Sequence, residues 1–472
     1  MPADRAAWDL LREEAERFPD EIRDLPVSRP VDAAALRAEL ARDWDFERPV
    51  PLAEAAARLA RTLREGTVHV THPRYFGLFN PSVREASVVA DALVALYNPQ
   101  LAAWSHAPAA NELERLTLGR LGRLLGFDPA TSWANFTSGG AEANLSAVLV
   151  ALAHRFPDAG EEGLRSLAAA PTLYVSPEGH HSLTKIARMS GLGTNALREV
   201  RVTDRLTLDP EALDDRLAAD RRAGFAPLAV VATAGTTSAG VVDPLAEIAE
   251  VAERHGVWLH VDAAWGGAAA LSPKLAPALA GIERADSVTW DAHKWLSVPM
   301  GAGMFFCRHP DAVRRAFTAA TTYMPANVGA PDPYDTTVQW SRRATGLKVF
   351  LALAELGLAG YRGLVERQAA MGDRLRELLA AAGWRIVNDT PLPLVCFTHP
   401  DLDAGRPTVS ALAAEVQRRG RVWISEVALT GKGRALRACI TSYRTEERDL
   451  AVLVEEVEAV RKTLPAGTPA TR

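Results

Sequence analysis

An α/β fold built on a mostly parallel sheet is what this sequence predicts, and three observations carry that prediction. Short apolar runs suited to strands recur through the middle of the chain, at 172–175, 228–232, 257–261, 287–290 and 304–306. Between several of them lie stretches with apolar residues at helical spacing, such as 245–254. Alternating strands and helices imply parallel strands with helices covering the sheet. Third, Thr237, Asp262 and Lys294 fall at or just after the ends of these runs. Ligands in open α/β sheets bind beyond the carboxyl ends of the strands.

The elements read in order as follows. The first fifty residues are charged and helical in pattern, ending at the Arg48-Pro49-Val50-Pro51 break, and a second helix covers 52–63. This gives an N-terminal helical segment over 1–70. The alternating region, 71–348, is the large domain. Its segment 318–339 holds Pro325, Gly329, Pro331 and Pro333 and few apolar residues, so it is a long loop. Loops of this length inside a compact enzyme are usually functional. After a helical run beyond Lys348, residues 349–472 form a smaller α/β domain. It has strands at 384–387 and 394–397, a helix at 410–418, a hairpin over 423–440 turning at Gly431-Lys432-Gly433, and a terminal amphipathic helix over 447–462.

Composition excludes several classes. With 472 residues and 48% hydrophobic content, the chain can bury a large core. A net charge of −5 argues against nucleic-acid binding through a basic surface. Cys307, Cys396 and Cys439 are widely spaced, with neither a disulfide framework nor metal-ligand spacing, which suits a reducing cytoplasm. No secretory signal follows Met1-Pro2-Ala3-Asp4-Arg5, and no apolar stretch is long enough to span a bilayer.

Two segments carry the chemistry. His260-Val261-Asp262-Ala263-Ala264-Trp265 follows one strand, and Asp291-Ala292-His293-Lys294-Trp295 follows another, with Lys294 32 residues downstream of Asp262. A lysine at one strand end and an acid at another can hold pyridoxal 5'-phosphate. The lysine captures the aldehyde, and the carboxylate keeps the pyridine nitrogen protonated, which makes the ring an electron sink. Ser138-Gly139-Gly140 precedes a helical run. Its glycines let backbone N–H groups approach an anion at a helix N-terminus, as a phosphate requires. No dinucleotide fingerprint or ATP-binding loop competes.

These segments resemble the group II pyridoxal-phosphate-dependent decarboxylases, the family of the aromatic amino acid, histidine, glutamate and diaminobutyrate decarboxylases. The likeness runs from about Pro73 to about Trp340, with weaker echoes to Arg444. It implies fold type I, with a seven-stranded sheet in the large domain, and a homodimer whose active sites lie at the subunit interface. It also implies roles. Ala264 touches one ring face. His181, in His180-His181-Ser182, lies on the other and guides the substrate carboxylate. Thr237 lies near the ring hydroxyl, and His293 adds a phosphate contact. The loop tyrosine that returns a proton to carbon is Tyr334, one residue out of register, with Tyr323 a second candidate. Phe79, Ser82, Trp104 and His106 are substrate-pocket candidates.

The activity implied is decarboxylation of an L-amino acid to an amine and carbon dioxide through a quinonoid intermediate. Two diversions of the same chemistry stay open: oxidative conversion to an aldehyde, and β-elimination of a substituent such as a thiol. A non-catalytic homologue is the alternative from another class. The side chain of the substrate is not legible.

Overall fold

The structure is a computed structural model, and it describes residues 4–322 and 330–465. Seven strands form the main sheet: β1 (Trp133–Thr137), β2 (Pro171–Val175), β3 (Leu197–Glu199), β4 (Ala226–Thr233), β5 (Trp258–Asp262), β6 (Ser287–Asp291) and β7 (Gly303–Cys307). Their order across the sheet is β1-β7-β6-β5-β4-β2-β3. Strands β2 to β6 pair parallel with their neighbours, and β7 runs antiparallel to both β6 and β1. The central strands are buried on both faces, because helices cover both sides of a parallel sheet. Their runs of Val, Leu, Ala and Trp are the consequence.

The register brings the chemistry to one edge. Thr233 pairs with Asp262, Asp262 with Thr289, Asp291 with Gly303, and Thr137 with Gly303. The carboxyl ends of β1, β4, β5 and β6 therefore meet the start of β7. The reversal of β7 places Gly303 between Thr137 and Asp291, where a Cβ would stand 2.5 Å from Thr137 Oγ1 and 2.7 Å from Gly139 Cα. Only glycine fits there without moving the turn that follows β1.

The second sheet is antiparallel, with β8 (Arg385–Ile386), β9 (Leu394–Thr398), β10 (Ser425–Leu429) and β11 (Gly433–Cys439) in the order β10-β11-β9-β8. Its apolar face packs on helices Val409–Arg419 and Glu447–Thr463. A capping box between Glu446 and Asp449 starts the second of these. The two sheets are joined by the long helical stretch Gly346–Ala381, broken at Gly357 (φ 67°). That stretch crosses the proposed boundary at 348/349. The N-terminal segment also docks on the smaller sheet's side: Val27 N–H bonds to Gly420 O, and Arg23 pairs with Asp449.

The strands expected from apolar runs are present, with ends shifted by one or two residues. The loop expectation for 318–339 meets helix Pro310–Phe317 on one side and the single turn Pro333–Asp335 on the other. Tyr323 lies outside the described residues.

Candidate active site

Lys294 projects from the turn after β6, and helix Gly346–Ala381 pins the chain around it. Trp295 Nε1–H donates to Gln368 Oε1 (2.6 Å), Tyr361 Oη–H to Leu296 O (3.1 Å) and Lys348 Nζ to Met300 O (2.9 Å). The Lys294 ammonium lies 3.1 Å from Asp291 Oδ2. Asp291 is 1% exposed, and its Oδ1 is buried with no hydrogen-bond partner. On the other side, Lys294 Nζ stands 5.7 Å from the centroid of Phe79, which stacks on Trp265 at 4.7 Å.

Asp262 ends β5. Its Oδ2 accepts from Asn144 Nδ2 (2.8 Å) and its Oδ1 from Ala264 N–H (3.1 Å), so both oxygens are held as acceptors. Asn144 sits on helix Gly140–Arg155, which follows β1 directly. The first N–H groups of that helix lack intrahelical acceptors by construction and carry its positive end. Gly140 leaves room at this point. A Cβ there would come within 2.9 Å of Asp291 Oδ2 and 3.3 Å of Ala264 Cβ. His293 Nδ1 accepts from Ala302 N–H (3.2 Å), which leaves the proton on Nε2, 3.7 Å from Asp291 Oδ2. Burial lowers the pKa of His293 and keeps it neutral. Ser138 N–H and Oγ–H both turn to Glu142 Oε2, at 2.9 and 2.6 Å.

The two adjacent histidines, of which His181 was the one expected at the site, differ in their surroundings. His180 is the ring that feels the charges of Asp262, Lys294 and Asp291. Burial lowers its pKa, Asp262 opposes, and Lys294 adds to the lowering. His180 Nδ1 is fastened to Ser182, with Oγ at 2.8 Å and N–H at 3.2 Å. Both histidines are exposed, with His181 directly at the start of helix Ser182–Met189.

Arg437, on β11, was not singled out from the sequence. It is 2% exposed. Nε donates to Thr237 O (2.8 Å), Nη1 to Gly77 O (2.7 Å) and Ser425 Oγ (3.2 Å), and the guanidinium lies 4.8 Å from the Phe79 centroid. Its Nη2 is buried with no partner. Thr237 is thus tied through its carbonyl to a cation beside Phe79. A lone arginine inside an apolar strand, Ala435-Leu436-Arg437-Ala438-Cys439, was the available signal.

The remaining candidates lie elsewhere. Ser82 is 2% exposed and bonds to Thr71 O and Ser442 Oγ. Trp104 N–H donates to Asp332 Oδ1 and Trp104 Nε1–H to Glu112, with His106 exposed beside it. Tyr334 N–H bonds to Ala102 O, and its ring stacks on Trp340 at 4.9 Å. Burial and the nearby Asp335 and Asp332 carboxylates raise the pKa of the Tyr334 phenol, so it keeps its proton. The same segment reaches the helix N-terminus through Gln339, whose Nε2 donates to both Glu142 oxygens at 2.9 and 2.8 Å.

An amine, an oriented carboxylate, and a helix N-terminus opened by glycine therefore share one sheet edge. Residues 47–399 match the pyridoxal-dependent decarboxylase conserved domain. The chain belongs to this family. It is 28% identical over 458 residues to an aromatic-L-amino-acid decarboxylase from Bacillus atrophaeus, covering 95% of this chain and 93% of that one. It is 33% identical over 338 residues to a cysteine sulfinic acid decarboxylase from Rattus norvegicus, covering 70% and 68%. Mouse CSAD superposes with a TM-score of 0.88 at 26% identity, over 98% of this chain and 100% of that chain. Oryza sativa TDC, solved with PLP and tryptamine, superposes at 0.90 with 24% identity, over 98% and 99%. The fold is thus that of the fold type I pyridoxal-phosphate decarboxylases, and the enzyme is a pyridoxal-phosphate-dependent carboxy-lyase. Among the described residues, no cluster of His, Cys, Asp and Glu could hold a metal, and no helix is long and apolar enough to cross a membrane.

Proposed function

We propose that this family member decarboxylates an L-amino acid, releasing carbon dioxide and the corresponding amine. The observation that carries the reading is the convergence of Lys294, Asp262 and the Gly139-Gly140 helix start on one edge of the sheet. Bound pyridoxal phosphate would supply an electron sink for the bond broken at Cα. The chain's own residues divide the remaining work. Lys294 would provide the amine that captures the aldehyde. Asp262, with both oxygens held by Asn144 and Ala264, would serve the ring nitrogen. The first N–H groups of helix Gly140–Arg155, with His293 and with Ser138 once released from Glu142, would receive the phosphate. Ala264 and His180 would hold the ring, His180 in the role first given to His181. Thr237 would serve the ring hydroxyl.

Two further residues act on the substrate. The Arg437 guanidinium, next to the apolar wall of Phe79 and Trp265, is the cation this reading assigns to the substrate α-carboxylate. Tyr334 returns a proton to Cα, because a phenol that holds its proton is a competent acid once water is excluded. Trp104 and His106 belong to the segment that bonds to Asp332 and Tyr334, and this reading assigns them to the substrate side.

The enzyme acts as a homodimer. Helices Arg5–Glu21, Leu52–Gly66 and Glu85–Tyr97 expose Trp8, Leu11, Leu59, Leu63, Leu96 and Tyr97, with Leu96 64% and Tyr97 81% exposed. These exposed apolar side chains support the reading, because a second copy would cover them.

The test is an amino-acid panel assayed for carbon dioxide and amine. Stoichiometric release of both from one L-amino acid is expected. Peroxide with ammonia and an aldehyde, or pyruvate with a free thiol, would replace this reading by the oxidative or eliminating one.

A further inference from the structure

We propose that Asn144 and His260 are positioning residues for Asp262, the inner links of a buried polar chain that keeps this carboxylate aimed at the ring nitrogen. The inference rests on the pyridoxal-phosphate reading of the site and adds a set of residues acting at one remove from the cofactor.

The chain runs across three elements. Trp258 Nε1–H donates to Ser287 Oγ (2.9 Å), and Ser287 Oγ lies 2.9 Å from His260 Nδ1. His260 Nε2 lies 3.0 Å from Asn144 Oδ1, which also accepts from Thr289 Oγ1–H (2.6 Å). Asn144 Nδ2 then donates to Asp262 Oδ2 (2.8 Å). Asn144, His260, Thr289 and Ser287 are each at most 1% exposed. The strand period explains the alignment. His260 and Asp262 are two apart on β5, and Ser287 and Thr289 are two apart on β6, so each pair shares one face. Helix Gly140–Arg155 lies over that face and lowers Asn144 between them.

Each link has one permitted direction. A carboxylate only accepts, so the amide of Asn144 must turn its NH₂ to Asp262 and its oxygen to His260 and Thr289. That oxygen only accepts, so His260 carries its proton on Nε2. Burial pushes His260 down to about 4, so the ring is neutral and Nδ1 is an acceptor. Ser287 donates to Nδ1 and accepts the indole N–H of Trp258. Every N–H and O–H dipole along the chain thus points towards Asp262. Four buried polar groups in a row carry a desolvation cost that apolar residues would avoid. Their arrangement makes sense as support for one charge.

The test uses Asn144→Asp, which keeps the shape and the oxygen facing His260 and Thr289 while replacing the donor to Asp262 with an acceptor. Apo protein is titrated with pyridoxal phosphate and with its 1-deaza analogue, in which carbon replaces the ring nitrogen. Losing a hydrogen bond to a charged group weakens binding by about tenfold or more. Asn144→Asp is therefore expected to weaken pyridoxal phosphate by about tenfold while changing the deaza analogue less than about twofold. Thr289→Val removes one dipole and is expected to narrow the same preference by about threefold. It carries the test if Asn144→Asp does not fold. Equal loss for both ligands, or no loss for either, would overturn the inference and leave Asn144 a packing residue. Failure of the unmodified chain to bind pyridoxal phosphate would instead remove the reading of the site, and this inference with it.

Discussion

Replacing Arg437 by Met tests the substrate side of the site. Four observations set the magnitude. The guanidinium gives two bonds to carbonyls, at 2.8 Å to Thr237 and 2.7 Å to Gly77, a third to Ser425 Oγ at 3.2 Å, and keeps Nη2 free while buried. If the guanidinium binds the α-carboxylate, its loss removes a charge-assisted hydrogen bond, of order 1.5–3 kcal/mol, or about tenfold to a hundredfold in affinity. Methionine also leaves the two carbonyls unsatisfied, so the melting temperature falls as well. Stability alone therefore does not discriminate. The discriminating assay compares binding of the substrate amino acid with binding of its product amine, which has lost that carboxylate. Arg437→Met should weaken the amino acid by about tenfold or more and leave the amine within about twofold. Arg437→Lys keeps the charge but not the fork and should fall between. Equal weakening of both ligands would refute the anchoring role.

Two further outcomes follow from the geometry. Gly303→Ala would drive a methyl group to 2.5 Å from Thr137 Oγ1 and 2.7 Å from Gly139 Cα. It should cost about 1–3 kcal/mol of stability and weaken pyridoxal phosphate binding, measured by melting and by titration; unchanged cofactor affinity would contradict the placement of the phosphate at this turn. Stability should also fall on acidification from pH 7 to 5. Burial pushes His72 down to about 3 and His260 to about 4. The unfolded chain takes up these protons as pH falls through about 6.5 and the native chain does not, so the stability present above that pH is lost below it. Asp243, raised to about 6 by burial, works the other way below that pH and offsets part of the loss. His72→Gln should flatten the slope; a melting temperature that rises towards pH 5 would contradict this assignment.

The strands nearest the chemistry were readable because they are buried on both faces and so are written as apolar runs. Strand β1, Trp-Ala-Asn-Phe-Thr, mixes polar and apolar residues, and β3 is three residues long at the sheet edge, so neither stood out. The reversal of β7 depends on the stretch 292–302, which is too short for a helical crossover and so returns the chain antiparallel. Lys294 and Asp262 were legible because each sits in a motif at a strand end. Asn144 and Arg437 were not, because their partners lie far away in sequence: Asn144 meets Asp262, and Arg437 meets Thr237 and Gly77. His180 and His181 differ only in which way the chain turns before helix Ser182–Met189, a geometric choice that a motif aligned by residue type does not contain.

The most direct measurement is chemical. Enzyme loaded with pyridoxal phosphate is reduced with borohydride, digested and mapped by mass spectrometry. The account predicts one pyridoxyl group, on the Nζ of Lys294, and none when Lys294 is replaced by Ala. A tag on a different lysine, or a chain that carries none at all, would contradict it.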